Sequence, residues 1–93
     1  MHSVEYLLVK HKVADFVKWR KVFDSHAEAQ RDSGLHILNV MRDVDDPDLV
    51  VLLFTVEDRG KAMAFTKAPS AREAGEEASV IGVPEVSFLT KSG

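Results

Sequence analysis

Apolar residues recur along the chain in two distinct rhythms, and the alternation between them predicts the elements. Residues 15–33 (DFVKWRKVFDSHAEAQRDS) carry the longer one. Phe16, Trp19, Phe23, Ala27 and Gln30 follow one another at three- and four-residue steps, which places them on one face at 3.6 residues per turn. Val22 and His26 flank that stripe, while Lys18, Lys21, Glu28 and Arg31 point largely away. The spacing predicts one long amphipathic helix, with Asp15 capping its start and Gly34 taking the left-handed position after its end.

The shorter rhythm marks strands. Residues 4–9 (VEYLLV) are apolar on both alternating phases, Tyr6 and Leu8 pointing one way and Leu7 and Val9 the other. Lys10, His11 and Lys12 are expected to end this strand. Residues 35–42 (LHILNVMR) and 49–56 (LVVLLFTV) read as a second and third strand around the turn Asp45-Asp46-Pro47-Asp48, an antiparallel hairpin. A second helix is expected from Glu57-Asp58 to about Lys67, with Ala62, Met63, Phe65 and Thr66 inward. Pro69 interrupts it, and Ser70 to Glu73 fit a capping box that starts a short third helix to about Ser79. Its small residues Ala71, Ala74, Gly75 and Ala78 allow close approach to a neighbour. Residues 85–91 (EVSFLTK) make the last strand.

The resulting order, β-α-β-β-α-β, predicts an α+β, ferredoxin-like fold with an antiparallel four-stranded sheet in the order 4-1-3-2. With both helical segments on one face, the doubly apolar strands leave a second apolar face bare. A second copy of the chain, sheet against sheet, is the simplest cover, so a homodimer is expected.

Composition narrows the function classes. Ninety-three residues make one domain, 1–93, and a net charge of −3 with interspersed signs gives no electrostatic footprint for nucleic acid. The candidate strands are aliphatic where an RNA-recognition sheet needs stacking aromatics. No apolar run reaches the roughly 20 residues of a membrane span. The absence of cysteine removes thiolate nucleophiles and metal ligands and fits a reducing cytoplasm. His11, His26 and His36 show no metal-ligand spacing, so no metal site is expected. Phosphate-binding loops and serine-hydrolase elbows are missing as well.

The candidate chemistry gathers on the long helix. His26 follows Trp19 and Phe23 on the same side, and an imidazole facing aromatic walls can accept a proton or hydrogen-bond an oxygenated ligand. It is the candidate catalytic residue. Trp19, Phe23, Phe65 and Tyr6 are the candidate substrate-binding residues, rings that wall or stack on a planar ligand and a hydroxyl that orients it. Each has a plainer alternative as core, with Tyr6 tethering a strand and His26 satisfied by a carbonyl. Glu85 and Asn39 are strand polar residues for the pocket or the sheet rim.

The segments VEYLLVKHKVADFVKW, FDSH, DDPD, AFTKAPSAREA and GVPEVSFL, taken with the topology, resemble the dimeric α/β-barrel superfamily, in particular its small cyclase-like and antibiotic-biosynthesis-monooxygenase-like members. The resemblance covers nearly the whole chain. It implies a homodimer with a pocket in each protomer between sheet and helices, used in some relatives for cofactor-free oxidation or cyclisation of aromatic, polyketide-like compounds. Haem-degrading members use an Asn, a Trp and a His. Here Asn39, Trp19 and His26 lie on different elements from theirs, so that activity is not carried over. A non-catalytic ligand-binding or stress-related dimer is the alternative function.

Overall fold

The computed structural model describes residues 4–92, without the side chains of residues 69–72. Eight elements follow in order: β1 (Glu5–Val13), α1 (Phe16–Ser25), α2 (Ala27–Asp32), β2 (Leu35–Arg42), β3 (Leu49–Val56), α3 (Arg59–Lys67), α4 (Pro69–Glu77) and β4 (Val80–Thr90). The four strands form one sheet in the order β2-β3-β1-β4, and every neighbouring pair is antiparallel. This is the expected ferredoxin-like α+β topology.

Strand periodicity divides the sheet into two unlike faces. Leu7, His11 and Val13 of β1 and Val50, Leu52, Phe54 and Val56 of β3 are buried, with Val9, Phe16, Val22 and Phe23 packed against them. The other phase, Tyr6, Leu8, Val51 and Leu53, is half-buried. The apolar pattern left open which phase would face the helices. The helices cover Leu7 and its phase, so the bare face carries Tyr6 and Leu8.

Four boundaries differ from those expected. The helix over residues 15–33 is two helices, broken at His26, whose φ of −99° and ψ of 9° close α1 and open α2. Apolar spacing runs straight through the break, so periodicity does not reveal it. β1 continues through Lys10, His11 and Lys12 to Val13, because β3 pairs with it as far as Lys12↔Leu49. β4 begins at Val80 and joins β1 through Val13↔Val80 and Lys12↔Ile81 before its expected span. Finally, α4 starts on Pro69 with Ala68 as its cap and no side-chain hydrogen bond there. Pro suits that first position, where its missing N–H has no intrahelical partner. The Ser70 side chain invoked for a capping box lies outside the described residues.

Other local expectations hold. The backbone N–H of Lys18 donates to the Asp15 side chain at 3.2 Å, and Gly34 has φ +75° after the α2 terminus. On α3, Ala62 is buried and Phe65 and Thr66 half-buried, but Met63 is exposed. Ser79, between α4 and β4, holds φ +65°, a left-handed conformation uncommon for a residue with a Cβ. Hydrogen bonds hold this corner: Ser79 Oγ accepts from the Asp15 N–H at 3.2 Å and has the Asp15 and Ala78 carbonyls in reach of its single proton, while its own carbonyl accepts from Ala14 at 2.9 Å. The strained serine thereby ties β4 to the start of α1.

Among the described residues, no helix is long and apolar enough to cross a membrane.

Candidate functional site

Between α1 and the sheet lies a stack of aromatic rings. Positions 16, 19 and 23 sit one turn apart, so their side chains lie one above another on the buried face. Phe16 and Trp19 stack at 5.5 Å between centroids, Trp19 and Phe23 at 5.0 Å, and Phe23 meets Phe54 of β3 at 6.4 Å. Trp19 is 3% exposed. Cations close both ends. The Arg42 guanidinium lies 4.0 Å from the Phe16 ring centre, fixed by an Nε–H that donates to the Pro47 carbonyl at 2.8 Å. Arg20 lies 5.8 Å from the Phe23 ring and pairs with Asp24, its i+4 neighbour, at 3.2 Å. Phe65 of α3 is half-buried against the same core.

The strand continuation through Lys10 and Lys12 brings one residue to this stack that the sequence reading did not select. His11 faces the helices, 5.6 Å from Trp19 between ring centres, and is 8% exposed. Neither of its ring nitrogens has a hydrogen-bond partner. Buried polar atoms are nearly always paired, and leaving one unpaired costs about 1–3 kcal/mol. Burial also pushes the imidazole pKa below its ordinary value of 6.5, because desolvation disfavours the charged ring. The signal available in the sequence was parity: Leu7, Val9, His11 and Val13 share one phase, but only if the strand runs past Val9.

Next to His11 the pairing of β1 with β4 is interrupted. Between the pairs Lys10↔Glu85 and Lys12↔Ile81, β1 has one residue, His11, and β4 has three, 82–84. Such a bulge leaves the extra residues unpaired and bends the strand. Gly82 turns it with φ +74°, and a Cβ there would meet nothing within 4 Å. The displaced segment borders a groove of about 340 Å³ lined by Lys10, His11, Lys12, Leu49, Ile81, Gly82, Val83 and Glu85. Lys12 reaches across to Asp46 at 3.1 Å.

The structure brings only some of the expected site residues together. Trp19 and Phe23 share the stack, and Phe65 packs on the same core. His26 is half-buried at the α1–α2 break, where its backbone N–H donates to the Phe23 carbonyl at 3.1 Å. Tyr6 does not join them. It lies on the other face of the sheet, paired with Thr55 and Leu89 and 6.0 Å below the Lys91 ammonium, because it is one residue out of phase with Leu7. His36 also faces away from the stack and pairs with Glu57 at 3.2 Å. Among the described residues no group of three or more His, Asp or Glu side chains is placed to hold a metal ion.

Neither a family model nor a curated protein matches the sequence. Solved structures do match it in shape. A protein from Bordetella bronchiseptica, named provisionally as an antibiotic biosynthesis monooxygenase, superposes with a TM-score of 0.80 at 13% identity, over 98% of this chain and 99% of that one. A Caulobacter crescentus protein with the same provisional name gives 0.72 at 15% identity, over 98% and 92%. A nipsnap family protein of unknown function from Agrobacterium tumefaciens gives 0.69 at 11% identity, over 98% and 90%. Identities this low speak for the fold and leave the chemistry open. The chain has the ferredoxin-like fold of the solved structures named as antibiotic biosynthesis monooxygenases.

Proposed function

We propose that the protein is a cytoplasmic homodimer whose subunits meet through their bare sheet faces. Each subunit binds a small aromatic or polyketide-like compound between α1 and the sheet. Its reaction is a cofactor-independent oxygenation or cyclisation, with His26 accepting a proton and Trp19, Phe23 and Phe65 shaping the site. The observation that carries this reading is the aromatic stack, Phe16 to Trp19 to Phe23 to Phe54, built on the helix that ends at His26. Flat π-faces in an apolar setting favour flat, apolar ligands. The names of the Bordetella and Caulobacter proteins support an oxygenase over other chemistries. For the dimer, the support is the run of Leu8, Val51, Leu53, Met41 and Leu89 across one uncovered face. The absence of cysteine suits a reducing compartment.

One observation favours the alternative, a non-catalytic dimer. The rings pack on one another at 5.0–6.4 Å, the spacing of an ordinary aromatic core. Oxygen uptake and product analysis with a panel of hydroxylated polycyclic aromatics separate the two. Turnover by the metal-free protein, lost in His26→Gln, supports the enzyme. Saturable binding without turnover leaves the ligand-binding dimer, and absence of binding makes the stack core alone.

A further inference from the structure

We propose that His11 is an acid-sensitive latch for the first part of β4. While its ring is neutral, residues 80–84 lie closed against β1, and a proton on the ring releases them ahead of the rest of the sheet.

The latch begins with the ring. His11 is 8% exposed and both its nitrogens are buried without a partner, so nothing in the closed fold hydrogen-bonds the charged form in place of its lost hydration. The surrounding elements supply no counter-ion. Trp19 of α1, Val50 of β3 and residues 82–84 of β4 are uncharged. Lys10 and Lys12 on its own strand, and Glu85 opposite Lys10, belong to the other phase of the sheet. Arg42 shares the phase of His11, in line with it through Val50, and adds a like charge whose guanidinium is held over Phe16. Asp15, Asp48 and the α4 residues Glu73, Glu76 and Glu77 are exposed, and Asp15 already accepts the Lys18 N–H. Burial accordingly lowers the affinity of the ring for a proton.

A hinge lies beside it. Ser79 at φ +65° and Gly82 at φ +74° bracket Val80 and Ile81, two left-handed residues around one short piece of strand. Releasing that piece relaxes the strained serine, and glycine takes other conformations freely. The piece is also weakly attached. Ahead of the bulge β4 holds β1 only through Val13↔Val80 and Lys12↔Ile81, whereas beyond it the ladder runs unbroken from Lys10↔Glu85 to Glu5↔Thr90. Val80 shares the phase of His11, through its pairing with Val13, and packs on the core. When it leaves, water reaches the flank of the ring. Every other route to that ring lifts Trp19 with α1 or parts β1 from β3, so the local opening is the cheaper one.

Amide hydrogen exchange of the ¹⁵N-labelled whole chain, followed between pH 8 and 5 and corrected for intrinsic exchange, tests the latch. The protected amides of residues 80–82 should lose protection by up to about tenfold per pH unit below about pH 6.5, the slope for one proton taken up on opening. Amides of the β1–β3 ladder such as Leu8 and Leu52 should keep theirs. His11→Leu should make the 80–82 protection independent of pH, while His26→Gln and His36→Gln leave the dependence in place. Loss of the β1–β3 protection in step with residues 80–82 overturns the latch, since the whole domain then opens together. A flat profile in the unmodified protein overturns it too, as does a dependence that survives His11→Leu or vanishes in either control. The unmodified profile and the two controls decide the matter even if His11→Leu does not fold.

Discussion

The two faces of this sheet are built from nearly the same aliphatic residues and behave differently. On the helix-covered face, Leu7, Val50, Leu52 and Phe54 are sealed under α1 and its rings, and that face also takes in the unpaired imidazole of His11. On the opposite face, Leu8, Val51 and Leu53 lie in the same strands, one residue out of step, and are only half-buried. A face closed within one chain stabilises the fold wherever the chain goes. An open apolar face stabilises only what it meets, so its residues act through association. The comparison teaches that adjacent leucines, Leu52 and Leu53, do different work.

Aspartate placed at these two positions breaks the comparison most sharply. At Leu52, 4% exposed, it buries an unpaired carboxylate in the core. The expected loss is at least about 4 kcal/mol, enough to leave so small a domain largely unfolded. Circular dichroism and a thermal melt read it. Leu53→Asp should keep the circular dichroism spectrum of the folded subunit and convert a dimer of more than roughly 1,000 Å² interface into monomer. Sedimentation velocity at micromolar concentration reads that outcome, and an unmodified chain that is already a stable monomer sinks the account of the open face.

Trp19→Ala comes next on the covered side. Removing the central ring of the stack should cost about 3–5 kcal/mol, visible as a lowered melting temperature with the oligomeric state unchanged in whatever remains folded. A loss below about 1 kcal/mol shows that the stack is loosely held.

The smaller effect belongs to His11. Its folded-state pKa lies below the 6.5 of the ordinary ring, so the unfolded chain binds a proton more readily than the folded one. Stability is therefore full above about pH 6.5 and falls as the pH drops from there through the lowered folded value. His11→Leu should remove that component and, by replacing unpaired polar atoms with apolar ones, hold or raise stability at pH 7 by on the order of 1 kcal/mol. Melts of both proteins between pH 8 and 5 provide the measurement. Parallel curves would show that the ring is solvated after all.

Much of the architecture could be read from the chain itself, because period fixes element type. Three-residue and four-residue steps from Phe16 to Phe23 made α1, alternation made the strands, and the hairpin followed from Asp45 to Asp48. The expected strand order is the one observed. Trp19 and Phe23 were legible as companions since one helix places both. His11 was not, because Lys10 and Lys12 on either side of it imitate the polar end of a strand. In the fold those lysines lie on the half-open phase, Lys12 exposed and paired with Asp46.

What the sequence determined by itself was therefore local: which segments are helix or strand, and that β1 and β3 are apolar on both phases. Tertiary structure decided which phase turned inward. Nothing within residues 4–9 distinguishes Leu7 and Val9 from Tyr6 and Leu8 as a buried pair. The choice was made when the aromatic face of α1 docked on one side of the sheet, bringing Trp19 against His11 and leaving Tyr6 on the other side. The break at His26 likewise appears only in the structure, since the apolar spacing runs through it unchanged. Periodicity is a property of neighbours in the chain, and facing is a property of neighbours in space.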